Sequence, residues 1–504
     1  MKDGLIQDWG NEHEDFLRDE SRRIGEAQSI SFPTCEEDVC DIVRSINTSG
    51  GSITTQGART GIVAGAVPQG GHVLNLSRMK HIEEVQSGNS GKQTVTVQPG
   101  ALLDEIREAV STQSAFFPPD PTETSAAIGG MVASNASGAM SFFYGPTRNW
   151  IESLRVVLGD GDVISLKRGE CFASGRTFSV TTESGKVISG ALPAYNVPAV
   201  KSAAGYYVAD NMDLIDLFIG MEGTLGIVTE INLSLINKPA ALCGLTVFLP
   251  DEASALQLVR VLRCEQADQA LQVRPVAIEL FNSDALNLLR NAKEKYSAFS
   301  KIPALKPHYH TAIYTEFHRE NDDELEEIAM QVMEAAMDLG GSDEDTWYAT
   351  NDHELEPQKA FRHATPEAVN LLIDERRRID PDITKLGTDM SVPDEQLEHV
   401  VDMYNRDLAL SGLESVIFGH VGNNHLHVNI LPNNQDEYAK GKALYMSWAK
   451  EVVSVGGSVS AEHGIGKLKT AFLEMMYGPE AIEEMRALKL LFDPNRILNP
   501  GNLF

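Results

Sequence analysis

The sequence predicts an α+β molecule of more than one domain, and three observations lead there. The chain has 504 residues, more than a single hydrophobic core normally serves. Its first half alternates helix-period and strand-period segments. Its middle holds strands and helices in an order that suits a helix-flanked antiparallel sheet. Hydrophobic residues make up 42% and charged residues 23%, which is a globular mixture and not that of a disordered chain.

Taken in order, residues 36–47 place Val39, Ile42, Val43 and Ile46 at helical spacing. Residues 52–55 are a short β-like run, followed by a Gly/Ala/Thr-rich turn through Pro68. Residues 72–76 and 93–98 alternate as strands do, and residues 102–110 return to a helix. Residues 149–158 and 162–166 bracket Gly159-Asp160-Gly161, a hairpin signal. Residues 226–236 alternate again before Asn237-Lys238-Pro239, where a domain boundary is expected. Beyond it, residues 254–265 and 322–338 read as amphipathic helices, with strand-like runs at 276–281 and 310–317 between them. From Gly456 the texture changes to Gly/Ser-rich turns, a helix at 479–492 and a Pro/Asn/Gly tail at 493–504 that needs tertiary partners. The expected division is an acidic extension (1–30), a first domain (31–239), a second (240–455) and a returning C-terminal segment (456–504).

The formal net charge of −30 argues against nucleic acid or anionic lipid as a main partner, since both would repel the chain at long range. Residues 1–24 are acidic and lack an apolar core or cleavage pattern, so no leader is expected and the protein is expected to be cytoplasmic. No stretch reaches the ~18 consecutive apolar residues of a membrane span. Cys35, Cys40, Cys171, Cys243 and Cys264 are sparse and odd in number, which fits reduced thiols. They form no iron–sulfur run, so any electron leaving the chain needs another carrier.

The usual nucleotide motifs are missing. No G-x-G-x-x-G follows a strand, and Gly466-Lys467 lacks the Ser/Thr of a phosphate loop because Leu468 follows. Two small-residue clusters stand out instead. The first is Thr54-Thr55-Gln56-Gly57-Ala58-Arg59-Thr60-Gly61, just after a strand; the second runs from Pro118 to Gly138. Small residues let backbone N–H groups converge on an anion. Either cluster alone is also what an ordinary glycine-rich loop looks like. Separately, residues 415–431 read SVIFGHVGNNHLHVNIL. A hairpin with a four-residue loop sets His420 opposite His425 and diagonal to His427. His425, His427 and Asn429 then share one face, and three converging imidazoles suit a divalent metal.

The order of TTQGARTGIVAGAVP, VQPGALLDEI, FFPPDPTETSAAIGGMVASNASG, GMEGTLGIVTEI and a terminal NPGNLF resembles the vanillyl-alcohol-oxidase-type (PCMH-type) flavoproteins. More narrowly, it is similar to their D-lactate, glycolate and D-2-hydroxyglutarate dehydrogenase branch. The resemblance implies a PCMH-type FAD-binding domain of two α/β subdomains, an α+β cap domain and a C-terminal segment returning to the flavin. It implies that Gly57, Ala58, Arg59, Thr60 and Gly61 hold the FAD pyrophosphate. Pro118, Asp120, Thr124, Ser125, Gly129, Gly130, Asn135 and Gly138 would run beside the dinucleotide. Glu222, Gly226, Ile227 and Val228 would contact adenine, ribityl or ring, and Asn499 would close the site. The pyrophosphate loop has no His or Cys, so non-covalent FAD is expected.

The same resemblance implies metal ligation by His420, His427 and Glu462, with zinc or manganese as the ion, and His463 as the base. The resembled hairpin reads H-x-G-D-G-N-x-H, whereas this chain has Asn423, Asn424 and His425 at the D, G and N positions, which leaves His425 without a role. Arg362 and Lys385 match the branch's carboxylate-binding positions, and a planar guanidinium suits that task. Asn429 joins them as a catalytic candidate from its place on the His425–His427 face. The implied reaction is oxidation of a D-2-hydroxy acid to the 2-oxo acid, with the hydroxyl on the metal and hydride passing to flavin N5. The implied electron acceptor is an electron-transfer flavoprotein, a quinone or an iron–sulfur subunit; a homodimer is left open. Two alternatives stay open as well: an alkyl-dihydroxyacetone-phosphate-synthase-like flavoprotein, and a flavin subunit of a larger oxidase complex.

Overall fold

Among the described residues, three large sheets and a two-stranded one, Thr177–Thr181 with Val187–Ala191, carry the molecule. The computed structural model describes residues 4–88, 91–265, 271, 273–321 and 323–504; Asp322, where one amphipathic helix is expected to begin, lies outside them. The first sheet has the order Gln7–Asp8, Ser29–Ser31, His72–Asn75, Ile53–Gln56. Its last three strands are parallel and almost wholly buried, as parallel strands covered on both faces must be. The helix Glu36–Ser49 buries Val39, Ile42, Val43 and Ile46 in the same core as Ile53 and Leu74, and ends at Gly50 in the left-handed region (φ 71°). The C-terminal tail finds its partner here: the Ile53 N–H donates to Ile497 O (2.6 Å) and the Asn499 N–H to Ile53 O (2.8 Å).

A six-stranded antiparallel sheet is organised around Ile227–Asn237, which pairs with Gln93–Val97, Ile151–Val157 and the short Ala115–Phe116. Ile151–Val157 and Val163–Lys167 form the hairpin expected around Gly159-Asp160-Gly161. The eight-stranded antiparallel sheet runs Trp347–Ala349, Ala241–Leu249, Thr311–Arg319, Ala277–Phe281, Ser415–Gly419, His425–Ile430, Leu386–Gly387, with Met390–Ser391 also pairing His425–Ile430. Helices Glu252–Leu262, Ser283–Lys295, Asp323–Asp338 and Asp352–Arg377 pack on it.

One helix overrides a local preference, and one hairpin closes differently from the sequence expectation. Asp352–Arg377 is one helix despite Pro357 and Pro366 inside it; both prolines argue against a continuous helix, and packing of Phe361, Ala364, Ala368 and Val369 on the sheet overrides that preference. In the His hairpin the last paired residues are Phe418 and His427, and strand pairing stops at Gly419. His420 leads a short 3₁₀ turn, Val421–Asn423, and is tied to the next strand by the His425 N–H donating to His420 O (3.2 Å). Gly419 has φ 129°, and a Cβ there would come within 2.9 Å of the His427 ring. Only glycine lets the two histidine segments close this tightly.

Candidate active site

The side chain at the centre is Glu462. Its carboxylate lies 3.3 Å from His420 Nε2, 3.4 Å from His427 Nε2, 3.4 Å from His463 Nε2 and 3.9 Å from His425 Nδ1. Lys201 Nζ completes the ring at 2.7 Å. The ligand atoms of His420, His425, His427 and Glu462 all lie within 4.8 Å of one another. Two imidazoles and a carboxylate suit a divalent ion, and the Nδ1 of His425, buried with no hydrogen-bond partner, is the sign of a missing one. The donor set fits a metal.

Three further carboxylates hold this cluster from behind. Glu279 Oε1 lies 2.5 Å from His420 Nδ1. Burial alone would depress the His420 pKa, but the Glu279 carboxylate overrides it and raises the value to about 9. Asp389, fully buried, accepts the backbone N–H groups of Glu462 and His463 (both 3.1 Å) and contacts Lys469 Nζ at 2.7 Å and His463 Nδ1 at 3.3 Å. Burial opposes its ionisation, yet His463 and Lys469 hold its carboxyl well below the usual range. Glu222 accepts the N–H groups of Ile465 (2.6 Å) and Gly466 (2.7 Å), and burial raises its pKa to about 7. It thereby anchors the loop that carries Glu462 and His463.

The other catalytic candidates lie further out. Arg362 donates to Asp120 Oδ2 (3.0 Å), and Arg107 holds the other oxygen of that carboxylate (3.0 Å). Lys385 is half-buried; burial and then the Arg22 guanidinium lower its pKa to about 8. Asn429 is buried beside Gly387, two residues along the strand from His427.

Glu462 and His463 also line a cavity of ≈ 340 Å³ that runs between the two small-residue clusters. Gly57, Ala58, Arg59, Thr60, Gly61, Gly129, Gly130, Glu222, Gly226, Ile227, Val228 and Asn499 line it too. A Cβ added at Gly61 or Gly130 would meet no atom within 4 Å, so bare backbone faces the space. Thr55 Oγ1 and Ser137 Oγ are buried on its wall without hydrogen-bond partners. Exposed amides and orphaned hydroxyls are what a dinucleotide's phosphates and ribose would satisfy, so these residues fit FAD. Asn499 bridges two walls of the cavity: its Oδ1 accepts from Thr55 N–H and its Nδ2 donates to Glu222 O, both at 2.8 Å.

Six of the expected cofactor residues stand behind or beside this wall. Pro118 is buried, and Asp120 is committed to its two arginines. A Cβ on Gly138 would collide with Asp120 O. Asn135 caps a helix and accepts from Arg148 N–H (3.0 Å). Thr124 and Ser125 bond Asp104 and Glu123 towards solvent.

Sequence reading did not single out Lys201, Glu279 or Asp389. Glu279 carried a usable signal, being the lone charge in a strand whose five residues are all buried. Lys201 carried none.

Residues 27–167 match the family model "FAD binding domain", and residues 238–503 match "FAD linked oxidases, C-terminal domain". The chain is 29% identical over 503 residues to a D-lactate dehydrogenase of Anaerostipes hadrus, covering 97% of this chain and 93% of that one. It is 28% identical over 495 residues to a D-2-hydroxyglutarate dehydrogenase of Stutzerimonas stutzeri (strain A1501), covering 97% and 94%. To the glycolate oxidase subunit GlcD of Bacillus subtilis (strain 168) it is 29% identical over 457 residues, covering 90% and 83%. Among solved structures, an alkyldihydroxyacetonephosphate synthase superposes with a TM-score of 0.68 over 99% of this chain and 82% of that one, at 17% identity. That likeness speaks for the fold alone. With a bare-backbone cavity between its two small-residue loops, and the second family model matched over more than half its length, this chain belongs to the FAD-linked oxidases.

Proposed function

We propose that the protein is an FAD-dependent dehydrogenase that oxidises a D-2-hydroxy acid of the D-lactate, glycolate or D-2-hydroxyglutarate class to the 2-oxo acid. The observation that carries the proposal is that Glu462 and His463 belong both to the cofactor cavity and to the histidine cluster. The names of the relatives supply the substrate class. When bound, FAD supplies the two-electron acceptor, and a divalent ion the Lewis acid that lowers the substrate hydroxyl's pKa.

The chain's residues do the rest. Gly57, Ala58, Arg59, Thr60 and Gly61 offer backbone to the pyrophosphate, and Asn499 ties that loop to Glu222. His420, His427 and Glu462 hold the ion. Arg362 and Lys385 take the substrate's carboxylate, and Asn429 is a further catalytic candidate two residues along the strand from His427. His463 removes the hydroxyl proton; Asp389 at its Nδ1 orients the ring and leaves Nε2 on the cluster side. The electrons leave to a separate carrier: an electron-transfer flavoprotein, a quinone or an iron–sulfur subunit.

Anaerobic addition of D-lactate, glycolate and D-2-hydroxyglutarate in turn tests this. One of them should bleach the oxidised flavin band within seconds, and its L-enantiomer, where there is one, should not. A flavin that stays oxidised with all three removes the proposed substrate class.

A further inference from the structure

We infer that His425 is a fourth protein ligand of the divalent ion held by His420, His427 and Glu462, and that the resulting three-imidazole, one-carboxylate set selects zinc, cobalt or nickel over manganese and magnesium. The inference rests on the reading that this cluster takes a divalent ion.

The three hairpin imidazoles are held in one pattern. Each has one ring nitrogen engaged from outside the cluster and the other turned towards Glu462. His420 has Glu279 at Nδ1 (2.5 Å) and Glu462 at Nε2 (3.3 Å). His427 has Thr388 O at Nδ1 (3.0 Å) and Glu462 at Nε2 (3.4 Å). His425 has Asp389 at Nε2 (3.1 Å) and Glu462 at Nδ1 (3.9 Å). For His420 and His427 the acceptor behind the ring fixes the tautomer and aims the lone pair, the usual support of a metal-bound histidine, and Asp389 approaches His425 from the same side.

His425 is the member with nothing else to do. It is fully buried, and neither ring nitrogen makes a hydrogen bond of good geometry, Asp389 being only an ion-pair contact. Its ring centroid lies 4.4 Å from that of His427 and 5.4 Å from that of His420. An ion at the centre satisfies the orphaned Nδ1; without one, a buried imidazole faces two others and an ammonium. Asn stands at this position in the hairpin the chain resembles, so the third imidazole is a departure from that pattern. Adding imidazole to a mixed site raises affinity most for ions late in the first-row series and least for oxygen-preferring ones.

The experiment uses the full-length FAD-loaded protein, stripped with chelator and titrated with Zn²⁺, Co²⁺ or Mn²⁺ against a chromophoric competitor. His425→Asn should bind Zn²⁺ roughly 100-fold or more weakly, beyond the 10–100-fold expected for losing a group behind a ligand, while Mn²⁺ affinity changes much less. The Co²⁺ ligand-field bands should shift in the variant. His427→Ala should lose both ions. His425→Gln, closer in volume, repeats the measurement if His425→Asn fails to retain FAD. X-ray absorption at the zinc edge of the unmodified protein should count three imidazoles. Two imidazoles, or native Zn²⁺ affinity with native Co²⁺ bands in the variants, overturns the role of His425 and leaves the three-ligand site standing. No Zn²⁺ or Mn²⁺ binding by the unmodified protein, or equal binding by His427→Ala, sinks the metal reading itself.

Discussion

Arg362 pairs with Asp120 and is also the residue proposed to take the substrate's carboxylate. It is 9% exposed and lies near Glu279. Burial works against its charge, but Asp120 and Glu279 outweigh that and raise its pKa further. Arg362→Ala is expected to raise KM for the carboxylate substrate by about 2–5 kcal/mol of lost binding. Because Asp120 keeps only Arg107, the same change should lower Tm. Arg362→Lys separates the two effects, restoring most of the Tm while a single ammonium still binds carboxylate poorly. Steady-state kinetics beside thermal melts make the check; a native KM in Arg362→Ala would remove Arg362 from the substrate site.

Among the elements, the parallel sheet and the tail bear most on the cofactor. Asn499 spans Thr55 and Glu222 from inside the fold. Asn499→Ala leaves the Thr55 N–H without its acceptor, while Glu222 O keeps the Asn502 Nδ2 donor at 3.2 Å; the orphaned N–H is a loss of about 1–3 kcal/mol. FAD dissociation should rise about tenfold, measured by fluorescence of released flavin on dilution; unchanged retention would make the tail a structural strand only. His72 in the strand His72–Asn75 gives the sheet a pH dependence. It is 1% exposed, its Nδ1 meets Ser29 Oγ at 2.9 Å, and Nε2 has no partner. Burial lowers its pKa from 6.5 to about 4. Between those values the unfolded chain binds the proton and the folded chain does not. The stability is therefore fully present above pH 6.5 and is lost as pH falls towards 4, by about 3 kcal/mol. Urea midpoints at pH 7.5 and 4.5 should fall less in His72→Gln than in the native protein. Equal slopes would show that other groups govern the acid response.

For the whole molecule, the cavity wall decides how the flavin is held. Among the described residues that line it, His463 is the one imidazole and there is no cysteine. The purified protein should be yellow, and acid precipitation should leave the flavin in the supernatant. Colour in the pellet would refute non-covalent binding. Among the described residues no helix is long and apolar enough to cross a membrane.

Much of this was legible in the chain because it is local. The alternation of residues 425–430 is a strand, the helix at 36–49 follows from four apolar residues at helical spacing, and the bare-backbone loops announce themselves by composition. What only the tertiary structure decided is which distant charges meet. Lys201 and Glu462 are 261 residues apart and Glu279 and His420 are 141 apart, and no periodicity links such positions. Asp389 reads as one more acidic residue until the sheet sets it under the His463 loop. The helix Asp352–Arg377 runs through two prolines for the same reason. Local sequence sets what the backbone prefers over a few residues, while burial, which only the assembled sheets create, selects the partners that a buried charge or imidazole cannot do without.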